Sequence, residues 1–119
     1  MTDQPVVDPS ALAVLSETTG DDPEFLAELI DTFLTDAVDL LNTIDAASAS
    51  GNAEELQRAA HSLKSNSATF GAMTLAALSK HLEEVGKAGN FDDVGQLPEQ
   101  ARREFARVEA ILRETRATL

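Results

Sequence analysis

From Phe25 to Ile44, apolar side chains return every three or four residues, and that period leaves this chain little choice of fold. Phe25, Leu26, Leu29, Ile30, Phe33, Leu34, Ala37, Val38, Leu41 and Ile44 share one broad stripe of an α-helix. Asp22-Pro23-Glu24 sets the start, with Asp as N-cap, Pro at the first helical position and Glu beside the positive helix end. The helix is expected to run to about Ala49, where Ser50-Gly51-Asn52 breaks it. The stripe is wide enough that part of it is a candidate partner-facing surface.

Four further segments carry helical signals. Asp8-Pro9-Ser10 opens a short one through about Glu17, with Leu12 and Leu15 apolar and Thr19-Gly20 as its stop. Asn52 caps another, with Glu54 and Glu55 near its positive end, reaching about Phe70. Gly71 interrupts or bends the pattern. A fourth helix follows, with Leu75, Leu78, Leu82 and Val85 inward, ending near Gly86-Lys87-Ala88-Gly89-Asn90. Phe91–Gln96 reads as a short connection, and Pro98 opens a last helix with Phe105, Val108, Ile111 and Leu112 apolar.

The chain of 119 residues has no Trp or Tyr, so Leu and Ala must build the core, which favours packed helices over a β-sandwich. Short connections between long amphipathic helices favour antiparallel neighbours. The expected fold is therefore all-α: an antiparallel up-down four-helix bundle with a short extra N-terminal helix. Residues 8–116 are expected to form a single domain, with residues 1–7 and 117–119 frayed.

No apolar run approaches the roughly 20 residues that span a bilayer. The N-terminus has neither a basic region nor an apolar one, so no secretory signal is expected. The chain has no Cys, which excludes disulfides and thiolate metal sites; the expected compartment is the cytoplasm. The net charge of −12 argues against nucleic acid and anionic membranes as partners. Its distribution is uneven: residues 1–57 hold 13 acids and no Lys or Arg, and the first base is Arg58. A solvated face is the plain explanation of that acidic stretch.

The histidine three residues beyond Arg58 stands apart. At about 100° per residue, Leu56, Ala59, Leu63 and Phe70 share a buried face, with Ala60 and Ser67 on its flank. His61 points the other way, among Gln57, Arg58, Lys64, Ser65 and Ala68. A phosphohistidine relay needs an accessible ring nitrogen as nucleophile, a nearby cation, small neighbours for an approaching domain, and a rigid base. His61 supplies the nucleophile, Lys64 the cation one turn on, and Ser65 and Ala68 the clearance. Exposure alone would leave His61 an ordinary surface histidine, and Lys64 an ordinary surface lysine. His81, on the flank of its stripe, reads as structural or merely exposed. A His61/His81/Glu83 metal site matches no ligand spacing and lacks a third strong ligand, so no metal is expected.

The run AHSLKSNSATFGA, followed by Leu75, Leu78 and Leu82-Glu83, resembles the histidine phosphotransfer (HPt) domain family of multistep two-component signalling. That family's pattern is roughly H-x-L-K-G, small residues, then Gly ten positions after the His; His61, Leu63, Lys64 and Gly71 match. DPEFLAELIDTFL is similar to the family's second helix, so the likeness covers most of the chain. Ser65 stands where the family usually has Gly, which slightly narrows close approach. Glu83 stands where some members have a Gln that hydrogen-bonds the ring; a carboxylate there would orient the imidazole and raise its nucleophilicity. The resemblance implies a phosphoryl carrier without autokinase activity, and so not an enzyme. His61 would take a phosphoryl group from the Asp of one receiver domain and pass it to another. It also implies response-regulator receiver domains and a hybrid histidine kinase as partners. Any Mg²⁺ would sit on the receiver, the carrier would hold no cofactor of its own, and the carrier would be a monomer. Gln57 and Glu83 are candidate ring or phosphate contacts, and Phe25 and Leu29 candidate docking residues.

Two other functions compete. A histidine kinase's phosphoacceptor helix normally has an acid after the His and a Pro a few residues on; Ser62 and Ser65 stand there, and no Gly-rich phosphate loop is present. A non-catalytic helical adaptor would bind a receiver domain without being phosphorylated, and it would have no need of His61 and Lys64 together.

Overall fold

A computed structural model describes residues 5–119. Five α-helices follow in order: α1 (Pro9–Thr18), α2 (Pro23–Ser50), α3 (Ala53–Thr69), α4 (Met73–Ala88) and α5 (Leu97–Ala117), with one 3-10 turn at Phe91–Asp93 between the last two. No strand occurs among the described residues. In the four-helix bundle α2 and α4 each pack against both α3 and α5, and α1 lies on α2 as the extra N-terminal helix.

The helix starts follow the local chemistry read from the sequence. The Asp8 carboxylate accepts from the Ser10 N–H, Asp22 from Glu24 and Phe25, and Asn52 from Glu55. Inward residues from all four long helices then meet in one core, with Ile30, Leu41, Ile44, Leu56, Leu63, Leu75, Leu82, Val108 and Leu112 almost wholly buried. Three aromatic rings tie the bundle at one level. Phe33 of α2 stacks on Phe70, just beyond α3, at 4.7 Å between centroids, and meets Phe105 of α5 edge-on at 6.5 Å. On the surface, Arg116 grips Asp31 with two hydrogen bonds, and Arg102 reaches Asp45 and Asn42, so α5 is fastened to α2 at two levels.

Several expectations need correction. The predicted fraying of residues 1–7 does not reach Val7, which is buried in the core; residues 1–4 lie outside the described residues. The Asp8 N–H donates to the Gly71 carbonyl at 2.9 Å, and this bond holds the start of α1 against the α3–α4 turn. Helix α4 ends within the expected Gly86–Asn90 stretch, running to Ala88 with Gly89 in the left-handed region as its cap. Helix α5 begins at Leu97, one residue before Pro98. Phe25 and Val38 are exposed, in keeping with the partly outward stripe of α2, whereas Ile111, grouped with the apolar positions of α5, is exposed as well. Leu78 is only partly buried, and α1 contributes partly buried Leu12 and Leu15 with no fully buried residue.

Gly71 does more than bend the chain. It ends α3 with a positive φ of 77°, its N–H bonding Ala68 and the next N–H, from Ala72, bonding Ser67. A Cβ on Gly71 would lie 2.8 Å from both the Ala11 Cβ and the Asp8 carbonyl oxygen. Gly71→Ala therefore combines a disfavoured backbone with a clash against α1, and should lower stability by about 1–3 kcal/mol in urea unfolding. An unchanged midpoint would show that α1 yields freely.

Candidate functional site

His61 sits at the middle of α3, on the face turned away from the core. Leu56, Ala59, Ala60, Leu63, Ser67 and Phe70 are all buried, while the His61 side chain retains 59% of its exposure. Ser65 and Ala68 are exposed beside it, as the helical period predicted.

The ring is not free to turn. Its Nδ1 lies 2.6 Å from Glu83 Oε2, across the α3–α4 contact. Lys64 Nζ donates to the other oxygen, Oε1, also at 2.6 Å. One carboxylate thus holds both the imidazole and the lysine. An ionised carboxylate accepts hydrogen bonds and donates none, so Nδ1 carries the ring proton and Nε2 keeps the lone pair. The Glu83 side chain is only 6% exposed. The Lys64 hydrogen bond holds its pKa below the ordinary value, against the opposing effect of burial, and the His61 bond adds to the lowering.

Gly86 makes this reach possible. A Cβ there would fall 2.7 Å from the Gln57 backbone nitrogen and 2.9 Å from the Ala53 carbonyl oxygen. The two helix backbones therefore nearly touch one turn from His61 and one turn from Glu83. A glycine inside a helix costs about 1 kcal/mol relative to alanine; here it removes the side chain that would push α4, and Glu83 with it, away from α3.

An open groove runs beside the ring, lined by Glu54, Gln57, Arg58, His61, Ser62, Glu83 and Lys87. Gln57 borders the groove, but the ring's hydrogen bond goes to Glu83. Lys87 Nζ stands 4.0 Å from Glu83 Oε2, a residue the motif reading missed although the i, i+4 spacing from Glu83 could have found it. Three cations, Arg58, Lys64 and Lys87, thus gather near His61 in a chain of net charge −12. His81 lines a different groove with Glu84, Val85, Ala88, Asp93 and Leu97. Among the described residues, no group of three His, Cys, Asp or Glu side chains is placed to hold a metal ion.

The Hpt domain family matches residues 28–114. The chain belongs to the Hpt domain family. Its fold is similar to the crystal structure of the histidine-containing phosphotransfer protein HptB from Pseudomonas aeruginosa. That match has a TM-score of 0.89 and 35% identity, covering 98% of this chain and 99% of that one. The HPT domain of a sensor hybrid histidine kinase from Shewanella shares the fold with a TM-score of 0.73 at 16% identity, covering 91% of this chain and 93% of that one. No curated protein sequence matches this chain. Family membership makes this Hpt domain a phosphotransfer protein of phosphorelay signalling. Among its described residues, no helix is long and apolar enough to cross a membrane.

Two measurements test the site. A carboxyl with a depressed folded-state pKa contributes stability above its unfolded value and loses it as pH falls through the folded one. The Glu83 contribution should therefore be complete at neutral pH and disappear below the ordinary value of 4.5, and Glu83→Gln should lack that part of the acid profile in denaturant melts. Gly86→Ala should destabilise the bundle by about 1–3 kcal/mol despite its better helix propensity, because the methyl group meets backbone. A stabilised Gly86→Ala protein would disprove the tight approach.

Proposed function

We propose that His61 is the phosphoacceptor of this Hpt domain. Its Nε2 takes a phosphoryl group from the Asp of one receiver domain and delivers it to the Asp of another. The observation that carries this reading is the exposed imidazole whose Nδ1 is held by buried Glu83, which leaves Nε2 as the nucleophile facing solvent. Glu83 orients the ring. Lys64, already beside it, stabilises charge on the phosphoryl oxygens, and Arg58 and Lys87 border the space into which that group would project. Gln57 is a further candidate contact for the phosphoryl group, while Ser65 and Ala68 leave room for the partner.

The carrier holds no cofactor in this reading; the Mg²⁺ belongs to the receiver domain. Phosphoryl groups do not come from ATP directly, since the site offers a nucleophile and cations but no nucleotide-binding loop in its sequence. The docking face is made from α2 and α3. Phe25 is exposed, and Leu29 lines a shallow groove with Thr32, Phe33, Asp36, Asn66, Thr69 and Phe70. A hybrid histidine kinase upstream, a response regulator downstream, a monomeric state and a cytoplasmic location complete the proposal. The phosphotransfer title of HptB, at 35% identity over nearly the whole chain, supports it.

Transfer from a phosphorylated receiver domain tests the assignment. Acid-labile label is expected on the wild type, none on His61→Gln, and none from ATP alone. Lys64→Ala should slow transfer by roughly 10- to 100-fold, the equivalent of one hydrogen bond to a charged group. Binding of a receiver without label would favour the adaptor, and equal labelling of His61→Gln would move the site elsewhere.

A further inference from the structure

Glu83 is an acid where an amide would suffice to orient a ring, and the charge has a consequence for the phosphorylated state. When Nε2 of a neutral imidazole takes a phosphoryl group, its lone pair forms the N–P bond. The P–O bond to the donor aspartate breaks, with its electron pair remaining on that carboxylate. The ring becomes an N-phosphoimidazolium that still carries the Nδ1 proton. An imidazolium free in water has a pKa of about 6.5 and would shed that proton near neutral pH. The deprotonated ring could then release its phosphoryl group only as an imidazolate, a poor leaving group.

We propose that Glu83 keeps the Nδ1 proton on phosphorylated His61, so that the phosphoryl group arrives and departs without any proton exchanged with solvent. Onward transfer then needs only attack by the acceptor carboxylate on phosphorus and return of the N–P pair to Nε2. The inference rests on His61 being the phosphoacceptor.

The geometry supplies what this needs. Oε2 is 2.6 Å from Nδ1, and the carboxylate is buried while the ring is exposed, so the negative charge is fixed in place. Lys64, at 2.6 Å from Oε1, favours the ionised carboxylate and so keeps the proton on the ring. The charged groups around His61 come from two helices: Glu54, Arg58 and Lys64 on α3, Glu83 and Lys87 on α4. No side chain of α2 or α5 lines the groove. The cations oppose a positive ring, but Lys64 is paired with Glu83, and the phosphoryl group brings its own negative charge beside them.

The test is a titration of the ring nitrogens by ¹⁵N NMR in the full chain, phosphorylated with phosphoramidate, between about pH 6 and 9. In the wild type Nδ1 should stay protonated to the upper end. In Glu83→Gln, whose amide oxygen preserves the hydrogen bond but not the charge, it should deprotonate close to neutrality. Transfer to a receiver domain should be flat with pH for the wild type. Relative to it, Glu83→Gln should fall about tenfold per pH unit above the ring's pKa. A wild-type ring that loses Nδ1–H near pH 7, or parallel pH profiles for the two proteins, would overturn the proposal while leaving the phosphoacceptor role intact. Absence of label on wild-type His61 would overturn both. The wild-type titration stands whether or not the variant folds.

Discussion

A buried carboxylate shared between two helices governs the geometry of this site. Glu83 gives one oxygen to the His61 ring and the other to the Lys64 ammonium, each at 2.6 Å. Burial raises the free-energy cost of the charge, and the two partners offset that cost; with either one removed, a charge would remain in a poorly solvated place. The arrangement is therefore mutually dependent. Lys64 keeps Glu83 ionised, ionised Glu83 fixes the ring proton on Nδ1, and the fixed proton leaves Nε2 open. None of this would hold if α3 and α4 stood an ångström further apart, and Gly86 is what lets them stand close.

The remainder of the bundle keeps that contact rigid. Phosphoryl transfer depends on in-line positioning, so an exposed nucleophile is useful only on an immobile base. The base is the buried face of α3, locked against α2 and α4 by Leu56, Leu63 and their neighbours. Phe33, Phe70 and Phe105 brace the far end of α3. Gly71 ties α1 to the turn that launches α4, so the short N-terminal helix supports the same corner. The charge distribution follows the same division. The first 57 residues carry only acids, and the cations begin on the helix that presents His61.

The elements were legible because each is a local event. Asp8, Asp22 and Asn52 cap the helices they precede, and the three- and four-residue spacing of apolar residues named the buried face of α3 without error, which in turn put His61 in solvent. Local rules failed where a residue's role came from a distant one. Gly86 reads only as part of the stretch that ends α4, which does end two residues later at Ala88; its second role, letting α4 lie close on α3, is set by the distant backbone of Ala53 and Gln57. Val7 reads as part of a frayed end, yet it is buried in the core. Ile111 matches the apolar period of α5 but lies at the edge of its stripe and stays exposed.

The sequence by itself determined the helices, their inward faces, the exposure of His61 and the presence of a cation one turn away, since all of these follow from the pitch of a single helix. Only the tertiary structure decided that Glu83 reaches both His61 and Lys64, that Lys87 joins them, and that Gln57 leaves the ring to Glu83. Those contacts depend on the separation and rotation of α4 against α3. Residues 22 apart in the chain meet there because two backbones touch at a glycine, and no local period encodes that distance.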